Sequence, residues 1–105
     1  MKVFQQRELH LAYACSAGGG QALHLMDGSF AHMQARTPNC FKGRRQIAHL
    51  FDFDAERLAK TARRLGVRKI LIEHPGTHRQ HVDLCGKPLE RALAAAKHEQ
   101  TPRLF

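Results

Sequence analysis

Apolar and polar positions alternate with period two over residues 9–15, Leu-His-Leu-Ala-Tyr-Ala-Cys, which predicts a half-buried strand with Leu9, Leu11, Tyr13 and Cys15 on one face. The Ser16-Ala17-Gly18-Gly19-Gly20-Gln21 stretch that follows lacks a Gly-Lys-Ser/Thr, and no helix opens behind it. It therefore reads as a flexible turn between strands rather than a phosphate cradle. Residues 22–26 form the next expected strand. It ends at Asp27-Gly28, a pair suited to a tight hairpin with residues 29–34 as the return strand. Pro38 and Asn39 mark residues 35–43 as a loop that exposes its basic side chains.

The middle of the chain changes period. Residues 47–51 are apolar on both faces, as in a buried strand. Asp52, Asp54 and Glu56 then place acid at the start of a helix whose far end carries Arg63 and Arg64, in keeping with capping and the helix dipole. Leu58, Ala62 and Leu65 make its inward stripe, and Gly66 supplies the left-handed residue at its end. Residues 68–72 read as a second two-sided strand, so strand, helix and strand together predict a parallel βαβ unit. Pro75-Gly76 breaks the chain. Residues 80–84 alternate again, with Val82 and Leu84 inward and His81 and Asp83 sharing the opposite face. A last helix begins near Pro88 and buries Leu89, Ala92 or Leu93, and Ala96, until Thr101-Pro102 stops it.

These elements predict one small α/β domain, a mixed sheet of four to six strands with one parallel βαβ unit and two helices. Residues 22–98 form its α/β core. Residues 1–21 are an N-terminal strand and Gly-rich turn, read as an added hairpin, and 99–105 a tail. With 43% hydrophobic and 25% charged residues the chain is expected to fold. No apolar run reaches the roughly 20 residues of a membrane span, and the first residues lack a signal peptide's apolar core. The three cysteines, Cys15, Cys40 and Cys85, are widely spaced without a C-x-x-C. They read as small buried hydrophobes in a reducing cytoplasm.

Charge narrows the partners. Seventeen Lys and Arg against nine Asp and Glu give +8 and a pI near 10.1, which favours nucleic acid, nucleotides or acidic surfaces. Arg36, Lys42, Arg44 and Arg45 form one acid-free cluster, and Arg57, Lys60, Arg63, Arg64, Arg68 and Lys69 another. The seven aromatic residues are not interleaved with these clusters, which argues against a platform for stacking single strands.

Candidate chemistry gathers around the histidines. His74 and His78 have the spacing of a helical metal pair, but Pro75-Gly76 between them rules out the helix. His81 and Asp83 differ: period-two geometry sets them on one strand face about 6–7 Å apart. An imidazole beside a carboxylate can be an oriented base, a pair of metal ligands or a polar clamp, or simply the wet side of an edge strand. His49, between Ile47 and Phe51, reads as a core histidine or a ligand.

Seven short motifs recur in order: L-M-D at 25–27, A-R at 35–36, G-R at 43–44, A-H-L at 48–50, R-R-L-G-V-R at 63–68, H-V-D-L at 81–84 and E-R-A-L at 90–93. From about Leu23 to Ala96 this pattern resembles a family of short bacterial and phage proteins catalogued only as a domain of unknown function. The resemblance implies a small α/β fold and recurring polar positions at Asp27, Arg36, Arg44, His49, His81, Asp83 and Arg91. It implies no activity. Residues 1–21 have no counterpart in the pattern, and Ala94-Ala95-Ala96 stands where the family carries Gly-Ala after the final helix.

Two functional classes follow. The first is a basic module that binds nucleic acid, a nucleotide or another phosphate-bearing ligand. The second is a metal-dependent, nuclease-like phosphoester hydrolase. In it Asp27, His49, His81 and Asp83 gather a divalent ion, His81, Asp83 and His49 serve as acid and base, and Arg36, Arg44 and Arg91 hold phosphate. A phage-type inhibitor of a protein partner is a third expectation, and the oligomeric state is left open.

Overall fold

The structure, a computed structural model, describes residues 1–27 and 46–100, with side chains as far as Ala96. Strand β1 (Lys2–Phe4) is followed by a single 3₁₀ turn (Gln6–Glu8) and helix α1 (Leu9–Ala17). Strands β2 (Gln21–Asp27) and β3 (Gln46–Asp52), helix α2 (Ala55–Arg64), strand β4 (His81–Leu84) and helix α3 (Gly86–Gln100) complete the order. The four strands form one sheet in the order β1-β2-β3-β4. β1 runs parallel to β2, and the other two pairings are antiparallel. The expected class, a small mixed α/β sheet containing one parallel pair, is the one observed.

Alternation along the strands sorts the two faces. Leu23, Ala48, Leu50, Val82 and Leu84 point to one side and meet Leu58, Ala62 and Leu65 of the α2 segment and Leu89 and Ala92 of α3. The other face carries Ala22 and Phe51, covered by Ala12 with Leu9, Tyr13 and Cys15 of α1. The α2 reading holds in detail. The Asp54 side chain accepts from the Arg57 amide at 3.0 Å, Leu58 and Ala62 are fully buried, and Gly66 takes φ +94°. Val82 and Leu84 point inward as expected, and so do Leu89, Ala92 and Ala96.

Three expectations are corrected. Residues 9–15 are helical, which makes three helices rather than two. The stretch has no β-branched residue, is rich in Leu and Ala, and buries Ala12 and Ser16 beside half-buried Leu9 and Tyr13. That is an i, i+3, i+4, i+7 stripe, while Leu11, the expected inward residue, is 44% exposed. Second, the parallel unit is β1–α1–β2 rather than residues 47–72. Ile70 and Ile72 pack against the core, but the place beside β3 is taken by β4, and only Glu73 bridges to His81. Residues 1–21 thus supply an edge strand and a covering helix rather than a hairpin. Third, Cys85 is buried as expected but disulfide-bonded, so the cysteine pattern does not argue for a reducing compartment; Cys15 is free. The turn after Asp27, residues 29–34 and the loop at Pro38 lie outside the described residues, and β2 finds its antiparallel partner in β3. Among the described residues no helix is long and apolar enough to cross a membrane.

One polar knot ties the elements together. Asp52 is fully buried at the end of β3. Its carboxylate accepts from Arg57 Nε and Nη2, both at 2.7 Å, from the Asp54 amide at 2.9 Å and from Gln21 Nε2 at 3.0 Å. Arg57 also donates to the Gly19 carbonyl at 2.8 Å, fixing the glycine turn. Buried Gln80 donates to the carbonyls of Asp52 (2.9 Å) and Phe53 (3.0 Å) and accepts from the Gly76 amide (2.9 Å), so the 73–79 loop is pinned to the end of β3. Replacing Arg57 strands a buried carboxylate. Arg57→Met is expected to cost about 3 kcal/mol in urea unfolding at pH 7, and Asp52→Asn less, because the amide keeps part of the network.

Candidate metal centre

Strand register, rather than sequence spacing, builds the site. In the antiparallel pairings His49 stands opposite both His24 and Asp83, and Phe51 stands opposite His81. Directly opposed side chains share a face, so His24, His49, Phe51, His81 and Asp83 form a grid across three strands. His81 Nε2 lies 3.2 Å from Asp83 Oδ1 and His49 Nε2 lies 3.6 Å from the same oxygen. One ligand atom from each of these three residues falls within 4.8 Å of the others. Donors held at about 2.1 Å from a tetrahedral centre stand about 3.4 Å apart, so the two separations are compatible with a ligand set, as the shorter is with a hydrogen bond.

His81 is held between two acceptors. Its Nδ1 is 2.7 Å from the Arg79 carbonyl, to which it must donate, while Nε2 faces the Asp83 carboxylate. A neutral imidazole cannot donate to both; an imidazolium, or a cation shared with Asp83, satisfies the geometry with the carboxylate ionised. Burial pushes the His81 pKa down. The hydrogen bond to Asp83, the bond to the Arg79 carbonyl and the charges of Asp83 and Glu73 outweigh it and hold the value above the ordinary 6.5. His49 goes the other way, to about 4: burial comes first, then the charge of His81, with Asp83 opposing and His24 adding. At neutral pH His49 is therefore a neutral ring. An Nδ1–H bonded to a backbone carbonyl, as in His81, fixes the tautomer that presents Nε2 to an ion.

A cavity of about 410 Å³ adjoins the cluster. Its floor is His24, His49, Phe51 and His81. Leu9 and Tyr13 of α1 form one wall, and His74 and Arg79 of the 73–79 loop another. Tyr13 carries part of that loop, with the Arg79 guanidinium 5.7 Å from its ring centre and the His78 ring edge-on at 5.2 Å. His74 takes φ +50°, uncommon for a residue with a side chain, and its ring lies 5.9 Å from that of His81. His24 is 2% exposed. Its Nε2 lies 2.9 Å from the Gln6 carbonyl, which makes Nε2 the donor and leaves Nδ1 a buried acceptor with no hydrogen-bond partner among the described residues.

Of the expected site residues, His49, His81 and Asp83 meet. Asp27 does not join them: it ends β2 in the phase of Leu23 and Leu25, opposite His24, and lies outside the donor group. Arg91, expected to hold phosphate, stands at the end of α2. Its Nη1 donates to the Leu65 carbonyl at 2.9 Å and fills the space a Cβ on Gly66 would take, across the sheet from the cluster. Arg36 and Arg44 lie outside the described residues. His24 and Tyr13 are additions, while His74 and Arg79, loop residues that the sequence allows at most to touch a ligand, line the pocket. His24 shares its strand phase with Met26, a signal present in the sequence, but only the register shows that it abuts His49.

The two histidines should titrate far apart. In metal-free protein, imidazole NMR should show His81 protonated above pH 6.5 and His49 neutral down to about pH 4, and Asp83→Asn should lower the His81 midpoint. The linkage signs are opposite. His81 adds stability below its unfolded value of about 6.5 that fades as pH rises through its raised folded value. His49 costs stability as pH falls from about 6.5 towards 4. Comparison with family models, curated proteins and solved structures gives no match to this chain.

Proposed function

We propose that this protein binds a first-row divalent metal ion through His49, His81 and Asp83 and hydrolyses a phosphate ester held in the adjoining pocket. The observation that carries the reading is the meeting of the three donors at ligand spacing, beside a cavity large enough for a small molecule. Two imidazoles and one carboxylate favour ions such as Zn²⁺ or Mn²⁺ over Ca²⁺ or Mg²⁺, and three protein ligands leave positions for water and substrate. When bound, such an ion polarises a phosphoryl oxygen and makes its water acidic. The chain's own groups do the rest. Neutral His49 offers its lone pair without competition from a proton, the Arg79 carbonyl orients His81, and the Arg79 side chain in the pocket wall can grip phosphate oxygens. The excess of positive charge draws anions towards it.

A second reading rests on a separate surface. Arg63, Arg64, Arg68 and Lys69 are exposed at the C-terminal end of α2, across the sheet from the pocket, and among the described residues none is in an ion pair. Such a face suits nucleic-acid backbone, and binding through it should weaken steeply with salt.

Metal analysis tests the first reading. After exposure to Zn²⁺ or Mn²⁺ and gel filtration, the protein should retain one ion and release nitrophenol from bis(4-nitrophenyl) phosphate or 4-nitrophenyl phosphate. His81→Ala should keep its circular dichroism yet lose more affinity than the roughly 10–100-fold that removal of an outer hydrogen-bond partner costs. A wild-type protein that holds no ion and ignores added metal would refute the reading.

A further inference from the structure

Resting on the metal-centre reading, we infer that the pocket's substrate is a small phosphate monoester bearing a planar ring, a nucleoside monophosphate, rather than a nucleic-acid polymer. Size is the first constraint: about 410 Å³ lies in the lower part of the range of roughly 300–1,000 Å³ seen for small-molecule sites, and α1 and the 73–79 loop wall it on two sides. The loop is held in place. Gln80 ties Gly76 to the end of β3, and the Thr77 hydroxyl donates to the His74 carbonyl at 2.8 Å, so the walls are set before any ligand arrives.

The lining is divided by chemistry. Tyr13, Phe51, Leu9 and Met26 give an apolar, partly aromatic surface, and the Tyr13 and Phe51 rings meet edge to face at 5.1 Å. A flat ring can pack there as bases pack on aromatic side chains. Arg79, its guanidinium 5.7 Å from the Tyr13 ring centre, is the one Lys or Arg among the described lining residues, so a ligand joining ring to phosphate spans the apolar wall and this cation. A ring-free phosphate meets the metal and Arg79 but leaves the apolar wall unanswered.

The reaction is a hydrolysis without redox change. The oxygen of water forms a bond to phosphorus, the ester P–O bond breaks, and the proton lost by water ends on the leaving alcohol oxygen, giving orthophosphate and the nucleoside.

Orthophosphate release by Zn²⁺- or Mn²⁺-loaded protein would be followed with nucleoside 5′-monophosphates, ribose 5-phosphate and a 5′-phosphorylated ten-nucleotide single strand, beside calorimetric binding of the same compounds. The expected result is a KM for at least one nucleoside monophosphate about tenfold below that for ribose 5-phosphate, within what a base–aromatic stack contributes, and little turnover of the oligonucleotide. Tyr13→Leu should collapse that preference. Because Tyr13 packs on Phe51, Arg79→Met on the exposed loop is the second variant and should raise KM for both monoesters. Equal KM values with and without the ring, or a preference for the oligonucleotide, would overturn the substrate class while leaving the metal-centre reading intact. Failure to bind metal or to cleave any ester would remove both.

Discussion

A carboxylate shielded from water stays ionised only if the fold surrounds it with donors. Asp52 obtains four, from Gln21, the Asp54 amide and two nitrogens of Arg57. Each partner belongs to a different piece of the molecule, so the charge cannot be satisfied unless the start of β2, the end of β3 and the first turn of α2 are all in place. The same residue holds Gln80 through its backbone: its carbonyl accepts from the Gln80 side chain and its amide donates to the Gln80 carbonyl. Gln80 immediately precedes β4. The clamp therefore sets where β4 begins and, with it, the register that puts Asp83 opposite His49 and His81 opposite Phe51. A slip of one residue would turn His81 and Asp83 into the apolar core and Val82 and Leu84 onto the pocket face.

The cluster is costly to the fold for the same physical reason that it suits a cation. His81 lies between a carbonyl and a carboxylate, an arrangement that demands positive charge, while the flanking His49 is driven neutral by burial and by that charge. A core built only for stability would fill these positions with apolar residues, as the opposite face of the same strands does. His24 adds to the cost, because its Nδ1 is sealed from water with no hydrogen-bond partner among the described residues. Local conflict of this kind, on a sheet that elsewhere follows the alternation rules, supports placing the proposed site on this face.

Much of the fold was legible, and what was hidden has identifiable causes. Helix α2 could be read from Asp54 to Gly66 because its cap, its stripe and its left-handed end are local features that need no partner. The same holds for the strands at residues 22–26, 47–51 and 80–84, and for the placing of His81 and Asp83 on one face. Helix α1 was hidden because Leu9, Leu11, Tyr13 and Cys15 satisfy period two while Leu9, Ala12, Tyr13 and Ser16 satisfy the helical period; small Ala12 and Ser16 carry little weight in a hydropathy count although both are fully buried. Residues 68–72 were misread because a short apolar run packs a core equally well with or without a ladder. His49 could not be joined to Asp83 from sequence, since their contact depends on register across a connection of almost thirty residues. The contact of Arg91 with the end of α2, over Gly66, was hidden because Arg91 lies on a helix far along the chain.

The N-terminal residues add to the site something the three candidate ligands do not. His49, His81 and Asp83, the proposed ion-binding set, stand on β3 and β4. Leu9 and Tyr13 stand on α1 and form a wall of the cavity, and Tyr13 meets both His78 and Arg79. A chain with the same three ligands but no β1 and α1 would present them on an open sheet face, where an ion could still bind but a small ligand would be enclosed on one side fewer. In the proposed function, ion binding and ligand selection rest on different parts of this molecule: the first on the register of β3 and β4, the second on helix α1, whose Leu9 and Tyr13 line the cavity.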